Sequence, residues 1–251
     1  MQIDSFFFPV EEHDIALLSA PWAASKRVSD YKAIVAPQDD GSQHVISVVR
    51  NSYKLVHNRE LIEPFLENIS QLGTRWKIDR SHSFCSLNRM RLQVTFPDVA
   101  FHDGESEVPL SLFLHNSYDQ SEGVRCLWGG IRAVCTNGMV FGNILGKFYA
   151  RHTSGFDFGG VEKQFDDATA KIKSLRSHVR QLDYKPVDQP LMDKLQKALG
   201  KRRLQEINST DRVPDVSQWH LLNDITHFIS HDVAKPKRAA LQMKVSDVFA
   251  L

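Results

Sequence analysis

Residues 123–142 read GVRCLWGGIRAVCTNGMVFG, and this stretch constrains the fold more than any other. Two apolar runs flank an Asn137-Gly138 pair, with Gly129-Gly130 as an earlier break. Asn-Gly between apolar runs predicts a two-residue type I′ hairpin turn, because both residues tolerate positive φ. The stretch is therefore expected to form central strands of an antiparallel sheet.

Upstream, the apolar period is two. Tyr31, Ala33 and Val35 are expected on one face of a strand. Gln38 to Ser42 is a turn, and Val45–Val49 and Tyr53–Val56 continue the strand pattern. Met90, Leu92, Val94 and Phe96 alternate with Arg89, Arg91, Gln93 and Thr95. That pattern predicts a half-buried strand with a basic, solvent-facing side. One helix interrupts the strands at 58–72, with Asn58 as N-cap, Glu60 in the first turn and Gly73 as stop. Pro64 inside it is tolerated if it falls in the first turn. Phe6-Phe7-Phe8-Pro9 reads as a segment docked on the body.

From Phe165 the period changes to 3.6. Phe165, Ala168, Ile172, Leu175, Val179 and Leu182 form one stripe. Leu191, Leu195, Ala198 and Leu199 form a second, ended at Gly200. A capping-box-like start at Asp215–Gln218 opens a third, and 236–251 a last, basic helix. Strands first and helices afterwards imply an α+β fold: an antiparallel sheet of several hairpins, one helix after the first strands, then a C-terminal helical section. Residues 1–160 form a β-rich core and 161–251 the helical section, either one domain or two.

Net charge is +1, so the whole molecule favours no partner, but charge is uneven: Ala168 to Arg203 carries ten Lys or Arg against three Asp. Such a segment suits an anionic partner, foremost nucleic acid; the plainer reading is a solvated helix face. Candidate contacts are Arg89, Arg91, Arg132, Lys147 and Arg151 from the sheet. Trp76, among Arg75, Lys77 and Arg80, is a base-stacking ring. Lys197, Lys201, Arg202 and Arg203 are phosphate contacts. The competing reading of the first group is a solvated sheet face with a core tryptophan.

Three cysteines, Cys85, Cys126 and Cys135, without C-x-x-C spacing, argue for reduced thiols in a cytoplasmic setting. The N-terminus lacks a signal-peptide pattern and no apolar run is long enough to span a membrane. Gly142–Phe148 imitates a phosphate loop but has three residues between glycines instead of four, and Phe148 where a Ser or Thr must reach Mg²⁺. His227 and His231 are one helical turn apart, near Asp224 and His220, yet no third ligand from elsewhere is evident. No catalytic residue, metal site or cofactor is assigned.

Several blocks then resemble the phage/plasmid-like proteins grouped as domain of unknown function 932. These are Tyr53-Lys54-Leu55-Val56-His57-Asn58, His115-Asn116-Ser117-Tyr118-Asp119, Arg132 to Gly138, Arg151-His152-Thr153, and Trp219, Asn223 and Thr226 with His231. Two positions depart from the family pattern: Tyr118 replaces a His and Gln120 replaces a Gly. The resemblance implies a gene of a phage, plasmid or integrated element in a bacterial cytoplasm, and no agreed activity. The leading expectation is a nucleic-acid-binding accessory protein, acting on single-stranded DNA before duplex, in recombination, replication or DNA protection. The second is a protein-binding antagonist of a host defence factor anchored by Phe6-Phe7-Phe8. The third is an enzyme acting on nucleic acid, with or without a metal, centred on Asn116, Asp119, Arg132, Asn137, His152 and His227. Oligomeric state is left open.

Overall fold

The structure is a computed structural model and describes residues 3–15, 30–102, 106–132, 137–140, 147–150, 161–207 and 215–251. It is α+β. A small three-stranded sheet is formed by β1 (Glu11–Asp14), β2 (Tyr31–Pro37) and β3 (Gln43–Arg50) in that order. The main antiparallel sheet contains β4 (Lys77–Ile78), β5 (Phe84–Cys85), β6 (Arg89–His102), β7 (Glu107–Ser117), β8 (Val124–Arg132), β9 (Asn137–Val140) and β10 (Lys147–Ala150). Its backbone is β6-β7-β8; β4 and β5 pair successive parts of β6, and β9 and β10 pair successive parts of β8. The helix α1 (Asn58–Gln71) follows the first sheet. The C-terminal section contains α2 (Val161–Tyr184), α3 (Gln189–Leu199), α4 (Lys201–Gln205), α5 (Gln218–His231) and α6 (Lys235–Val248). No described helix is long and apolar enough to cross a membrane.

The predicted hairpin forms as β8–β9, but Asn137 and Gly138 are not its turn. Arg132 stands opposite Asn137 and Ile131 opposite Gly138, so the pair opens the second strand. Residues 133–136, with Cys135, lie outside the described residues. Gly129-Gly130 does not break β8 either: both glycines are buried within the strand, opposite Ser111 and Leu110.

One apolar core runs through both sections of the chain. Leu92, Val94, Leu112, Leu114, Cys126 and Trp128 on one sheet face join Leu61, Ile62, Phe65 and Ile69 of α1. The same cluster continues into Leu175, Leu195, Leu222 and Val245 of the C-terminal helices. In α1 the cap is His57, whose side chain and Glu60 form a capping box; Asn58 is the first helical residue and is buried. Pro64 lies beyond the first turn, and the helix runs through it. Its 3–4 spaced apolar stripe supplies the packing that offsets the lost backbone donor. Phe6 enters the core, Arg59 sits over the Phe7 ring at 4.3 Å, and Phe8 meets Tyr118 edge-on. The docked segment expected from the sequence is present.

The strand β2 departs from simple alternation. Ile34, Val35 and Ala36 are all buried while Tyr31 is exposed, so both faces of the strand are covered there. Its pairing passes from Ile34–Ser47 to Val35–Val45, which makes Ile46 of β3 the extra residue of a bulge. Lys32, buried on this sheet, is neutralised by Glu12 at 2.8 Å.

A polar knot joins the parts. The backbone N–H of Asn58 donates to the Tyr118 hydroxyl at 2.8 Å, and its Nδ2 donates to the carbonyl of Phe6 at 3.1 Å. Asn116 Nδ2 donates to Asn58 Oδ1 at 2.9 Å and to the Val56 carbonyl at 3.0 Å. Asn58→Ala leaves buried groups on both sides unpaired, and each such group costs roughly 1–3 kcal/mol. The expected loss is about 2–3 kcal/mol in urea denaturation, with an unchanged m-value.

Candidate functional site

The basic strand face expected at Arg89 and Arg91 is buried at Arg91 and half-buried at Arg89. Residues Met90 to Phe96 are buried on both sides of β6, so the strand's second face is covered as well as its first. Arg91 is 3% exposed. Its Nη1 donates to Gln242 Oε1 of α6 at 3.1 Å, and its guanidinium lies over the Phe113 ring at 4.4 Å. On the same face Met243 packs on Phe113 and Leu127 and receives Arg125 Nη1 at 3.6 Å. The alternating pattern predicted one solvated side; α6 occupies it instead, which no local period announces. Burial, then the neighbouring charge of Arg238, pushes the Arg91 guanidinium down to about 10, and its Nε and the nearby Gln93 Oε1 have no hydrogen-bond partner among the described residues.

His115, opposite both Arg91 and Arg125, is buried beside them. Burial and those two cations hold its imidazole well below 6.5. Glu122 stands 3.9 Å from His115 Nδ1 and 3.8 Å from Arg125. Burial raises the Glu122 carboxyl, with Arg125 and Arg89 opposing. Arg89 is bonded to Asp119 at 3.2 Å, and Asp119 also accepts from Ser121. This polar layer locks α6 to the sheet through Arg91 and Arg125 and leaves Arg91 unavailable to a polyanion, while Arg89 stays partly exposed beside Asp119.

The remaining sheet candidates are spread out. Arg132 ends β8 and Lys147 opens β10 opposite Leu127. Their side chains, and all of Arg151 and His152, lie outside the described residues. The proposed enzymatic centre is also divided. His115 faces Arg125 across the β7–β8 pair, which puts Asn116 level with Val124, eight residues from Arg132. At about 3.3 Å per residue, that is roughly 26 Å along the strand. Asn116 and Asp119 are already committed to the contacts above. His227 and His231 lie ring to ring, centroids 4.4 Å apart, and among the described residues no group of three His, Cys, Asp or Glu is placed to hold a metal ion. Burial pushes the Cys85 and Cys126 thiols up to about 12, far from thiolate chemistry.

The helical candidates do converge. Asp188 caps α3, accepting from the Leu191 N–H, and Gly200, at φ 86°, turns the chain directly into α4. The turn places Lys201, Arg202 and Arg203 on the wall of a cleft of ≈ 530 Å³, whose other wall brings Lys237 from α6. Glu206 and Asp232 share the cleft, and Arg202 pairs with Glu206 at 3.4 Å. Arg203 reaches back to the Leu199 carbonyl at 3.1 Å. Lys197 is exposed one turn earlier on α3; it, Lys201 and Lys237 make no ion pair with another described residue. Lys237 was absent from the candidates: its only sequence signal was the basic start of the last helix.

Trp76 stands elsewhere. It is half-buried against the core, on the wall of a second pocket that also takes in Lys77 and Arg80. Arg75 is paired with Asp98.

The buried imidazole gives a pH signature. The folded chain binds fewer protons at His115 than the unfolded chain does, so stability is full above pH 6.5 and falls as pH drops below it, by up to about 1.4 kcal/mol per pH unit. Glu122 acts in the opposite sense nearer pH 4.5, which sets the useful window at about pH 6.5 to 5.5. His115→Gln should flatten the difference in urea midpoints between those two pH values; an unchanged slope would assign it to other histidines.

A family model described as Domain of unknown function (DUF932) matches residues 45–244. No curated protein and no solved structure matches the chain.

Proposed function

The chain belongs to the family described as domain of unknown function (DUF932), a description that states no activity, and we propose a function from its own chemistry: a nucleic-acid-binding accessory protein of a phage, plasmid or integrated element. It contacts the phosphates of single-stranded DNA and serves recombination, replication or protection of that DNA. The observation that carries this reading is the cleft between α4 and α6. Three cations chosen from the sequence, Lys201, Arg202 and Arg203, meet a fourth, Lys237, contributed by a different helix. Two carboxylates share the space, so a cationic excess remains for a polyanion. Lys197 extends the charge along α3. The family resemblance supports the mobile-element setting.

The protein-antagonist reading loses the Phe6-Phe7-Phe8 anchor, since Phe6 is core and its neighbours are engaged. What favours it is the small sheet, where Tyr31, Val45 and Val48 are exposed at 43%, 56% and 51%. Capture of a host protein that survives nuclease treatment and is lost in Val45→Lys would move the assignment there.

Fluorescence anisotropy with a labelled oligothymidylate tests the leading reading. Three phosphate contacts predict log K falling with log salt at a slope of about −2. Lys201→Glu combined with Arg203→Glu should weaken binding at least about tenfold at 100 mM salt and make the slope shallower by about 1.4. Arg91→Met should leave the affinity unchanged. Salt-independent binding, or binding indifferent to the charge reversals, would overturn the proposal.

A further inference from the structure

We propose that the pocket beside Trp76 is a seat for a single nucleotide, holding the base against the indole and the phosphate on Arg80 and Lys77. The inference rests on the nucleic-acid reading for its ligand class and uses none of the cleft residues.

The pocket encloses ≈ 530 Å³, within the range of small-molecule sites of about 300–1,000 Å³. Its floor is apolar: Phe6, Ile78 and Leu92 stand around Trp76. Its rim carries Lys77, Arg80 and Asp4. None of these three side chains makes an ion pair or hydrogen bond with another described residue. A flat ring with apolar neighbours suits a planar aromatic ligand, and two free cations at the mouth give that ligand a negative charge. A nucleoside monophosphate has both parts.

The site is also built to hold its shape. Asp79 accepts from the Ser81 and His82 backbone N–H groups and from the Ser81 hydroxyl, fixing the turn on which Arg80 sits. Ser83 pins that turn to the sheet: its hydroxyl donates to the Asp79 carbonyl at 2.6 Å and accepts from the Gln93 N–H at 3.0 Å. Pairing of Lys77 with Thr95 and Ile78 with Val94 fixes the residues after Trp76. A fixed backbone under Lys77 and Arg80 limits the ordering a ligand must impose.

Asp4 adds selectivity. A carboxylate accepts hydrogen bonds and cannot donate them. Adenine, guanine and cytosine carry exocyclic amino groups with two N–H donors; thymine offers one ring N–H, at N3, flanked by two carbonyl oxygens that a carboxylate repels. The pocket should therefore prefer the three amino-bearing bases over thymine.

Isothermal titration of the full chain with the four deoxynucleoside 5′-monophosphates, thymidine and inorganic phosphate tests this. Sub-millimolar binding of deoxyadenylate, deoxyguanylate or deoxycytidylate is expected, weaker for thymidylate and weaker still for either fragment alone. Trp76→Ala should lose about 5- to 150-fold, the worth of one stacked base. Arg80→Ala, at an exposed position, serves where Trp76→Ala fails to melt like the wild type, and should lose at least about tenfold. Asp4→Asn should narrow the preference against thymidylate. Absence of saturation at millimolar nucleotide, or affinity untouched by Arg80→Ala and Trp76→Phe plus Trp76→Ala, overturns the site. Lys201→Glu with Arg203→Glu should weaken oligonucleotide binding at least about tenfold while nucleotide affinity is unchanged, so the two proposals fail separately.

Discussion

The amide of Asn58 sits where four parts of the chain meet, and the architecture depends on it. It ties the N-terminal segment through Phe6, the first helix through its own backbone, strand β7 through Asn116, and the small sheet through Tyr118. Tyr118 also accepts the Ser47 hydroxyl at its carbonyl and receives the edge of Phe8. Apolar contacts alone would let these parts slide; a buried amide with assigned donors and acceptors fixes one arrangement. In the sequence resemblance to the family, Tyr118 takes the place of a His. Its ring fills a core position between the two sheets, and burial pushes its phenol well above the ordinary range, so here it serves packing and hydrogen bonding as a neutral group. The other departure has a backbone cost: Gln120 adopts φ 60°, where a glycine is unstrained.

A second consequence comes from burying both faces of β6 and β7. The apolar face meets α1 and the C-terminal helices; the polar face receives α6. Charges on that face are desolvated, and they compensate one another incompletely: Arg91 has a neutral amide and an aromatic ring as its contacts. Burying a cation in this way costs free energy unless α6 stays in place to satisfy it. The layer therefore makes the helical section an integral part of the sheet's packing, and it takes Arg91 and His115 away from the surface. The cleft between α4 and α6 and the pocket around Trp76 both lie away from these strands' buried centre.

Much of the architecture was legible along the chain because it follows from period. The change from two to 3.6 near Phe165, the stripe Leu61–Ile69 and the alternation from Met90 to Phe96 each mark an element found in the structure. Turn chemistry was less decisive. Asn137-Gly138 signals a hairpin correctly but occupies the strand, since four residues separate it from its partner Arg132. Of the candidate contacts, Lys201, Arg202 and Arg203 stay together on one cleft, because contiguous charges at a helix start remain neighbours however the helix is placed. Arg89 and Arg91 do not: an alternating strand states that its two faces differ, and says nothing about whether the polar one is covered.

By itself, then, the order of residues determined most element types, the buried side of the helix at Asn58–Gln71, and where positive charge accumulates along the chain, since these depend on neighbours a few positions away. Only the tertiary structure decided that α6 closes over the polar side of the sheet, that Lys237 meets Lys201 across a cleft, and that Asp4 stands with Trp76 and Arg80. Those pairings join residues tens to hundreds of positions apart, and they are fixed by packing across the whole core, which no local spacing encodes.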